Sequence, residues 1–234
     1  MIELKHKIGI LFDIFAVLPA DILETDRHRL QNWLDAGKNA DMHYMATFPR
    51  HDLNQILPGA RSVIVVGKSY RHNERVMGRA LYACGIDYHK SLKKSLWSLA
   101  KDLNISYPDA NFRAVVDTAP ALEKAWAIKG GLGFRGRNSL VINSDIGSYF
   151  NIGLLVTDIE LPEIKWVSEG SCGDCRACIE ACPMGAICED STIDARNCIS
   201  YHTVERSRFE KCSISMCGWD YGCDECQQVC KYNL

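Results

Sequence analysis

Four cysteines within eleven residues, Cys172-x2-Cys175-x2-Cys178-x3-Cys182, followed directly by Pro183, constrain this chain more than any other feature. In the bacterial ferredoxin pattern, three thiolates of such a run grip one cubane iron–sulfur cluster and the fourth reaches across to a second. A second run follows, Cys223-x2-Cys226-x3-Cys230. Zinc ribbons use two cysteine pairs, so a zinc reading would leave several of these thiols idle. The spacing therefore points to electron-carrying iron.

The second run is incomplete. A repeat of the first would place cysteine at position 220, where Asp220 stands. Cys223, Cys226 and Cys230 need a partner from elsewhere, and Cys198, Cys212 and Cys217 are all candidates by spacing. Cys188 reads as a spare structural thiol. Only Cys84 lies outside the last quarter or so of the chain; alone, it reads as a small buried hydrophobe.

The chain has 234 residues, enough for one large domain or two smaller ones. No stretch reaches the roughly 18 apolar residues of a membrane span. The apolar stretch from Ile8 to Ala20 is short and interrupted by Asp13, which argues against a signal peptide. Clustered thiols without a leader imply a reducing, cytoplasmic setting rather than a disulfide scaffold. A formal charge of −2 gives no bulk basic field for nonspecific nucleic-acid binding. Two doubly charged clusters on eight thiolates would bring it to about −6.

Composition shifts between Leu161 and Ser171, from a cysteine-poor α/β region to a cysteine-dense tail. The expected division is residues 1–165 and 166–234. Arg61–Gly67, Phe112–Val116, Ser139–Asn143 and Tyr149–Thr157 read as strands, the last two joined as a hairpin by the turn at 143–147. Helices are expected over Ile22–Ala36, Tyr88–Leu103 and Pro120–Lys129, the last with a proline in its first turn. Leu92, Leu96, Leu99 and Leu103 share one face of the second helix, and Lys90, Lys93 and Lys94 read as its solvated face. The tail is too short to bury a core unaided, so bound clusters should hold it together.

Gly131-Leu132-Gly133-Phe134-Arg135-Gly136 matches the dinucleotide fingerprint by letters. It follows a helix and precedes a strand, the reverse of what that site needs. These glycines read as places of close backbone approach. Asp117 stands at a strand end, as a helix-capping carboxylate or a ligand-facing group. His89 reads as a surface or satisfied histidine. Arg135, Arg137, Lys211 and Lys231 read as scattered solvated charges rather than a patch.

Several segments, in order, resemble one family. They are Leu57–Val65, Gly85-Ile86-Asp87-Tyr88-His89-Lys90, Asp117–Ala125, Gly131–Asn138, Gly147-Ser148-Tyr149-Phe150, Cys172–Ala186, Cys198-Ile199-Ser200-Tyr201 and Gly222–Gln227. Together they resemble the epoxyqueuosine reductases, over about residues 40 to 233. The resemblance implies an α/β (α+β) cobalamin-binding nitroreductase-like domain followed by a small ferredoxin-like domain with two [4Fe–4S] clusters. It implies an oxidoreductase that removes the epoxide oxygen of epoxyqueuosine in tRNA to give queuosine. It implies that Cys172, Cys175, Cys178 and Cys230 hold the cluster nearer the surface, and that Cys182, Cys198, Cys223 and Cys226 hold the one nearer cobalt. Asp117 matches the proton donor, and Cys84, Val141, Ser200 and Asp224 match positions lining the corrinoid. A tRNA anticodon stem-loop is the implied substrate, and a reduced ferredoxin or flavodoxin-type protein the implied electron donor.

The departures are local. Lys231 stands where a proline usually follows the last cysteine, Lys124 where an arginine is common, and Cys188, Cys212 and Cys217 are additional. Fuller members carry a helical-repeat extension that helps grip tRNA, and this sequence stops at Leu234 without it. Two other functions fit the same residues: a related corrinoid reductase of a small molecule, and a noncatalytic two-cluster electron carrier.

Overall fold

The computed structural model describes residues 2–206 and 216–234, so Lys211 and Cys212 lie outside the described residues. The strands are β1 (Ile14–Pro19), β2 (Ser62–Ser69), β3 (Phe112–Val115), β4 (Phe134–Arg135), β5 (Val141–Ile142) and β6 (Phe150–Thr157). The α-helices are α1 (Ile2–Leu11), α2 (Glu24–Asp35), α3 (Tyr88–Asn104), α4 (Glu123–Lys129), α5 (Ala177–Ala181) and α6 (Glu225–Gln228). Four strands form one sheet in the order β1-β2-β6-β3, every neighbour antiparallel.

The near-continuous apolar run of β2 follows from burial of both sheet faces. Side chains alternate along a strand. Val63 and Val65 join Ile14, Ala16, Leu18, Leu154 and Val156 on one face, against Trp126 of α4. Ile64 and Val66 join Phe15, Val17, Phe112 and Leu155 on the other, against α1 and α3. The leucines at 92, 96, 99 and 103 are all buried on that second face. Asp87 starts α3 by accepting the His89 amide at 3.0 Å, which satisfies a donor that the first helical turn leaves free. The lysines at 90, 93 and 94 face solvent as expected.

Two local expectations are corrected. Val141–Ile142 pairs with Phe134–Arg135 in a separate two-stranded sheet, not with β6. The turn at 143–147 does form, with the Asn143 and Gly147 backbones exchanging hydrogen bonds of 2.9 and 3.1 Å. Asn143 also spends its side-chain oxygen on the amides of Asp145 and Ile146, which closes the turn on itself while β6 runs on to β2 and β3. The helix expected from Pro120 begins at Glu123, leaving the proline in the preceding loop. The apolar stretch near the start of the chain, not assigned to any element beforehand, forms the end of α1 and all of β1.

Gly131 lies at φ +76°, and a Cβ there would run into the Trp166 carbonyl; at Gly133 it would meet the Ile142 carbonyl. These glycines permit close backbone contact, as the sequence suggested. The cysteine-rich segment is tied back to the sheet region by polar contacts. Val17 and Ile164 exchange backbone hydrogen bonds of 2.7 and 2.9 Å beside β1. The buried amide of Gln227 donates to Ser148 Oγ and O, both at 3.1 Å. Buried Asn233 accepts the Ser148 amide at 2.8 Å and donates to its Oγ at 2.9 Å. Lys38 donates to Asp190 and Thr192, both at 2.8 Å.

Candidate active site

A cavity of about 400 Å³ opens where the sheet region meets the cysteine-rich segment. Asp117, at the end of the β3 strand, stands on its wall. The residue holds φ +58°, a left-handed conformation that aspartate tolerates better than most side chains. Its Oδ2 accepts from the Tyr88 hydroxyl at 3.2 Å and lies 3.1 Å from His89 Nε2. His89 Nδ1 lies 2.9 Å from Asp87 Oδ1. The Tyr88 and His89 rings stack, with centroids 4.0 Å apart. Burial and the Asp117 charge push the Tyr88 hydroxyl well above its ordinary value, so it acts here as a donor.

This Asp87–His89–Asp117 line was not legible beforehand. Its only sequence signal is Asp87-Tyr88-His89 at a helix start, and Asp117 lies 28 residues beyond His89. The line links an exposed carboxylate to the cavity through an imidazole able to carry protons. Glu123, the first residue of α4 and on the same wall, was also missed. Burial first, and the Asp117 charge next, raise its carboxyl to about 7, against the opposing influence of the backbone amides of Glu123 and Asp117. Its Oε1 is buried without a hydrogen-bond partner. Beside it Lys124 has surface facing the cavity yet is crowded by protein; this crowding, and Arg135, lower its ammonium from the ordinary lysine value.

Val141, Ser200 and Asp224 line the same cavity. Ser200 precedes a single π-helical turn, Tyr201–Glu205, a distortion often found at functional sites. Asp224 is completely buried. Its Oδ2 accepts the Leu81 amide at 2.7 Å, while Oδ1 has no partner. Desolvation raises this carboxyl against the opposing Leu81 hydrogen bond and the charge of Arg75, 3.4 Å from Oδ2. Cys84 lies outside this lining; its sulfur accepts the Val76 amide at 3.4 Å and donates to the Ala80 carbonyl at 3.3 Å.

The cysteines sort into two groups. Cys182, Cys198, Cys223 and Cys226 line the large cavity together with Asp117. Cys172, Cys175, Cys178 and Cys230 surround a second, much smaller one of about 20 Å³. Burial pushes the Cys223 thiol up to about 12 and Cys226 higher still, and neighbouring thiols add to both shifts. A cationic metal centre reverses that cost by stabilising thiolates. Cys188 lines neither cavity; it lies near Lys38, whose charge it favours. Cys217 is exposed. Arg135, Arg137 and Lys231 do not form one patch, and Lys211 lies outside the described residues. Arg135 pairs with Asp26 at 2.9 Å, whereas Arg137 and Lys231 both border the small cavity.

Comparison with known proteins matches two stretches of the chain to described families. Residues 50–118 match the family described as "Epoxyqueuosine reductase QueG, DUF1730", and residues 171–233 match the "4Fe-4S double cluster binding domain". The chain is 42% identical over 228 residues to an epoxyqueuosine reductase of Synechocystis sp., covering 93% of this chain and 78% of that one. Against the Escherichia coli (strain K12) epoxyqueuosine reductase it is 38% identical over 239 residues, covering 95% and 62%. The solved epoxyqueuosine reductase of Streptococcus thermophilus superposes with a TM-score of 0.85 at 27% identity, over 99% of this chain and 65% of that one. An epoxyqueuosine reductase solved with an epoxyqueuosine-modified tRNA-Tyr stem loop gives 0.86 at 26% identity, over 99% and 64%. The chain thus spans slightly less than two thirds of those solved proteins. No helix among the described residues is long and apolar enough to cross a membrane.

Proposed function

The chain belongs to the epoxyqueuosine reductase family, and from that membership we propose that it reduces epoxyqueuosine to queuosine in tRNA, using cobalamin and two [4Fe–4S] clusters. The observation that carries this reading is the sorting of eight cysteines into two groups, one of them sharing a cavity with Asp117. Cys172, Cys175, Cys178 and Cys230 would hold the outer cluster, and Cys182, Cys198, Cys223 and Cys226 the inner one. Cys198 is then the ligand that the second cysteine run lacks. Electrons would enter from a reduced ferredoxin or flavodoxin-type protein, in the cytoplasm. The finer fold assignment belongs to the same proposal: a nitroreductase-like cobalamin domain over 1–165 and a ferredoxin-like domain over 166–234.

The residues fit a corrinoid. Its rim carries amide side chains, and the partnerless Oδ1 of Asp224 is a buried acceptor suited to such a donor. Val141 offers an apolar surface and Ser200 a hydroxyl on the same wall. Bound there, cobalamin would supply a reduced cobalt centre competent to attack or reduce an epoxide. Converting the epoxide to an alkene takes up two electrons and two protons and releases water. Asp117 would deliver a proton from Oδ2 to the departing oxygen as negative charge develops. Tyr88 and His89 hold that carboxyl group in place, and the His89–Asp87 line can restore its proton.

Anaerobic reconstitution with iron, sulfide and cobalamin, followed by assay on an anticodon stem-loop bearing epoxyqueuosine, tests the reading. About eight irons, a base-off cobalt(II) EPR signal and alkene product are expected. Eight irons with no retained corrinoid would make the protein an electron carrier instead. Retained corrinoid without RNA turnover would shift the substrate to a small molecule.

A further inference from the structure

A second cavity, of about 330 Å³, adjoins the first and shares Asp117, Glu123 and Lys124 with it. The rest of its wall comes from α2, the turn at His43–Ala46, Arg50, the start of α4, Arg135 and the loop around Thr192. Two aromatic rings and four cations meet there: Trp33, Tyr44, Arg29, Arg50, Lys124 and Arg135.

The rings are held in place. The Trp33 indole N–H donates to the Ile193 carbonyl at 2.7 Å. The Tyr44 hydroxyl donates to Glu205 at 3.0 Å, yet the residue remains 46% exposed. Arg50 sits over the Tyr44 ring, 5.4 Å from its centroid, and donates to the Tyr44 carbonyl at 3.1 Å. Its Nε is buried with no partner. Arg29 donates to the carbonyls of Asp190 and Ser191 at 2.9 and 3.4 Å and, among the described residues, to no carboxylate. The opposing carboxylates are Asp26, already paired with Arg135, and the shared Asp117 and Glu123. Half-buried Arg29 and buried Arg50, the latter 8% exposed, therefore line the cavity with charge that no carboxylate among the described residues of this wall pairs directly.

An exposed Tyr44 ring and a partly buried Trp33 ring, both fixed by hydrogen bonds beside guanidinium groups, match the chemistry of a nucleotide: a planar base to stack and a phosphodiester for a bidentate fork. We propose that this second cavity binds a nucleotide flanking the modified nucleoside, its base on the Tyr44 and Trp33 rings and its phosphodiester on Arg29 and Arg50. This inference rests on the proposed function and assigns a separate subsite to it. The flanking nucleotide would be anchored on one side of Asp117 while the reacting ring enters the cavity on the other.

The test is fluorescence anisotropy of the reconstituted holoprotein with a labelled anticodon stem-loop carrying epoxyqueuosine, at several salt concentrations. Tyr44→Ala should weaken binding about tenfold through lost stacking, with the salt dependence unchanged. Arg29→Gln should weaken binding and lower the slope of log affinity against log salt by about one, the signature of one lost phosphate contact. Iron and corrin contents, measured on each variant, should equal those of the wild type. Should Arg29→Gln lose iron, because its carbonyl contacts also steady the loop at 190–191, Tyr44→Ala and Arg29→Lys decide instead; Arg29→Lys should weaken binding while retaining the slope. Wild-type binding with unaltered variants would overturn the subsite and leave the proposed function standing. No binding by the wild type would overturn both.

Discussion

The sheet region and the cysteine-rich segment are held together by different physics. The first buries two large apolar clusters, one on each face of a four-stranded sheet. The second contributes few buried apolar side chains, chiefly Ala186, Ile187, Ala195, Ile199 and Tyr201. Its order rests on turns, on polar anchors such as Gln227 and Asn233, and in the proposed holoprotein on iron. The large cavity lies between them. The cavity wall thus draws Asp117 from the region with the apolar cores and Cys182, Cys198, Cys223 and Cys226 from the segment with few buried apolar side chains.

The largest test of this contrast is removal of iron. Chelation should abolish turnover and open residues 171–234 to proteolysis, while the sheet region stays protected. Simultaneous loss of both regions, followed by limited proteolysis and circular dichroism, would show that they fold as one unit. Asp117→Asn comes next, with turnover falling by roughly two to four orders of magnitude. Asparagine tolerates the left-handed backbone and can keep contact with Tyr88 but cannot supply the proton, so iron and corrin contents should not change. Turnover near the wild-type rate would remove Asp117 from its assigned role.

On the scaffold side, Leu96→Ala removes a fully buried side chain and should cost about 2–5 kcal/mol in chemical denaturation. Stoichiometric iron in the folded variant would sharpen the contrast; proportionate iron loss would blur it. The smallest effect concerns the clasp between the regions. Lys38, with help from Thr192, holds the Asp190 carboxyl down to about 2. A folded value below the unfolded one, about 3.9, means the stabilisation is complete above that pH and disappears as pH falls toward 2. Because Asp190 is 57% exposed, the contribution should stay below about 1 kcal/mol. Lys38→Met should flatten the acid limb of the stability profile by that amount; an unchanged limb would show that the clasp contributes nothing.

What the sequence disclosed follows the same division. Thiol spacing needs no tertiary context, so the metal-binding tail was plain from Cys172 to Cys182. The buried strands and the leucine face of α3 were equally plain, because periodicity reports burial. Pairing was harder: the turn at 143–147 is local chemistry, but the partner of Val141–Ile142 is decided by which backbone can approach, and Gly133 admits it. β1 was hidden because a short continuous apolar run cannot be told from a buried helix segment by periodicity alone. His89 and Glu123 acquire meaning only once folding brings Asp117 beside them. Cys84 shows the reverse, a position suggested by resemblance whose sulfur is turned to its own loop.

β1 is an outer strand, and outer strands expose hydrogen-bonding groups that can recruit further chains. The backbone exchange between Val17 and Ile164 occupies part of that rim, using the segment that leads toward the cysteines. The approach to the metal-binding end is thus also a guard against self-association. A fragment ending before Ile164 would keep both apolar cores largely intact yet uncover a six-residue strand with five buried positions, and it should form higher-order species as its concentration rises.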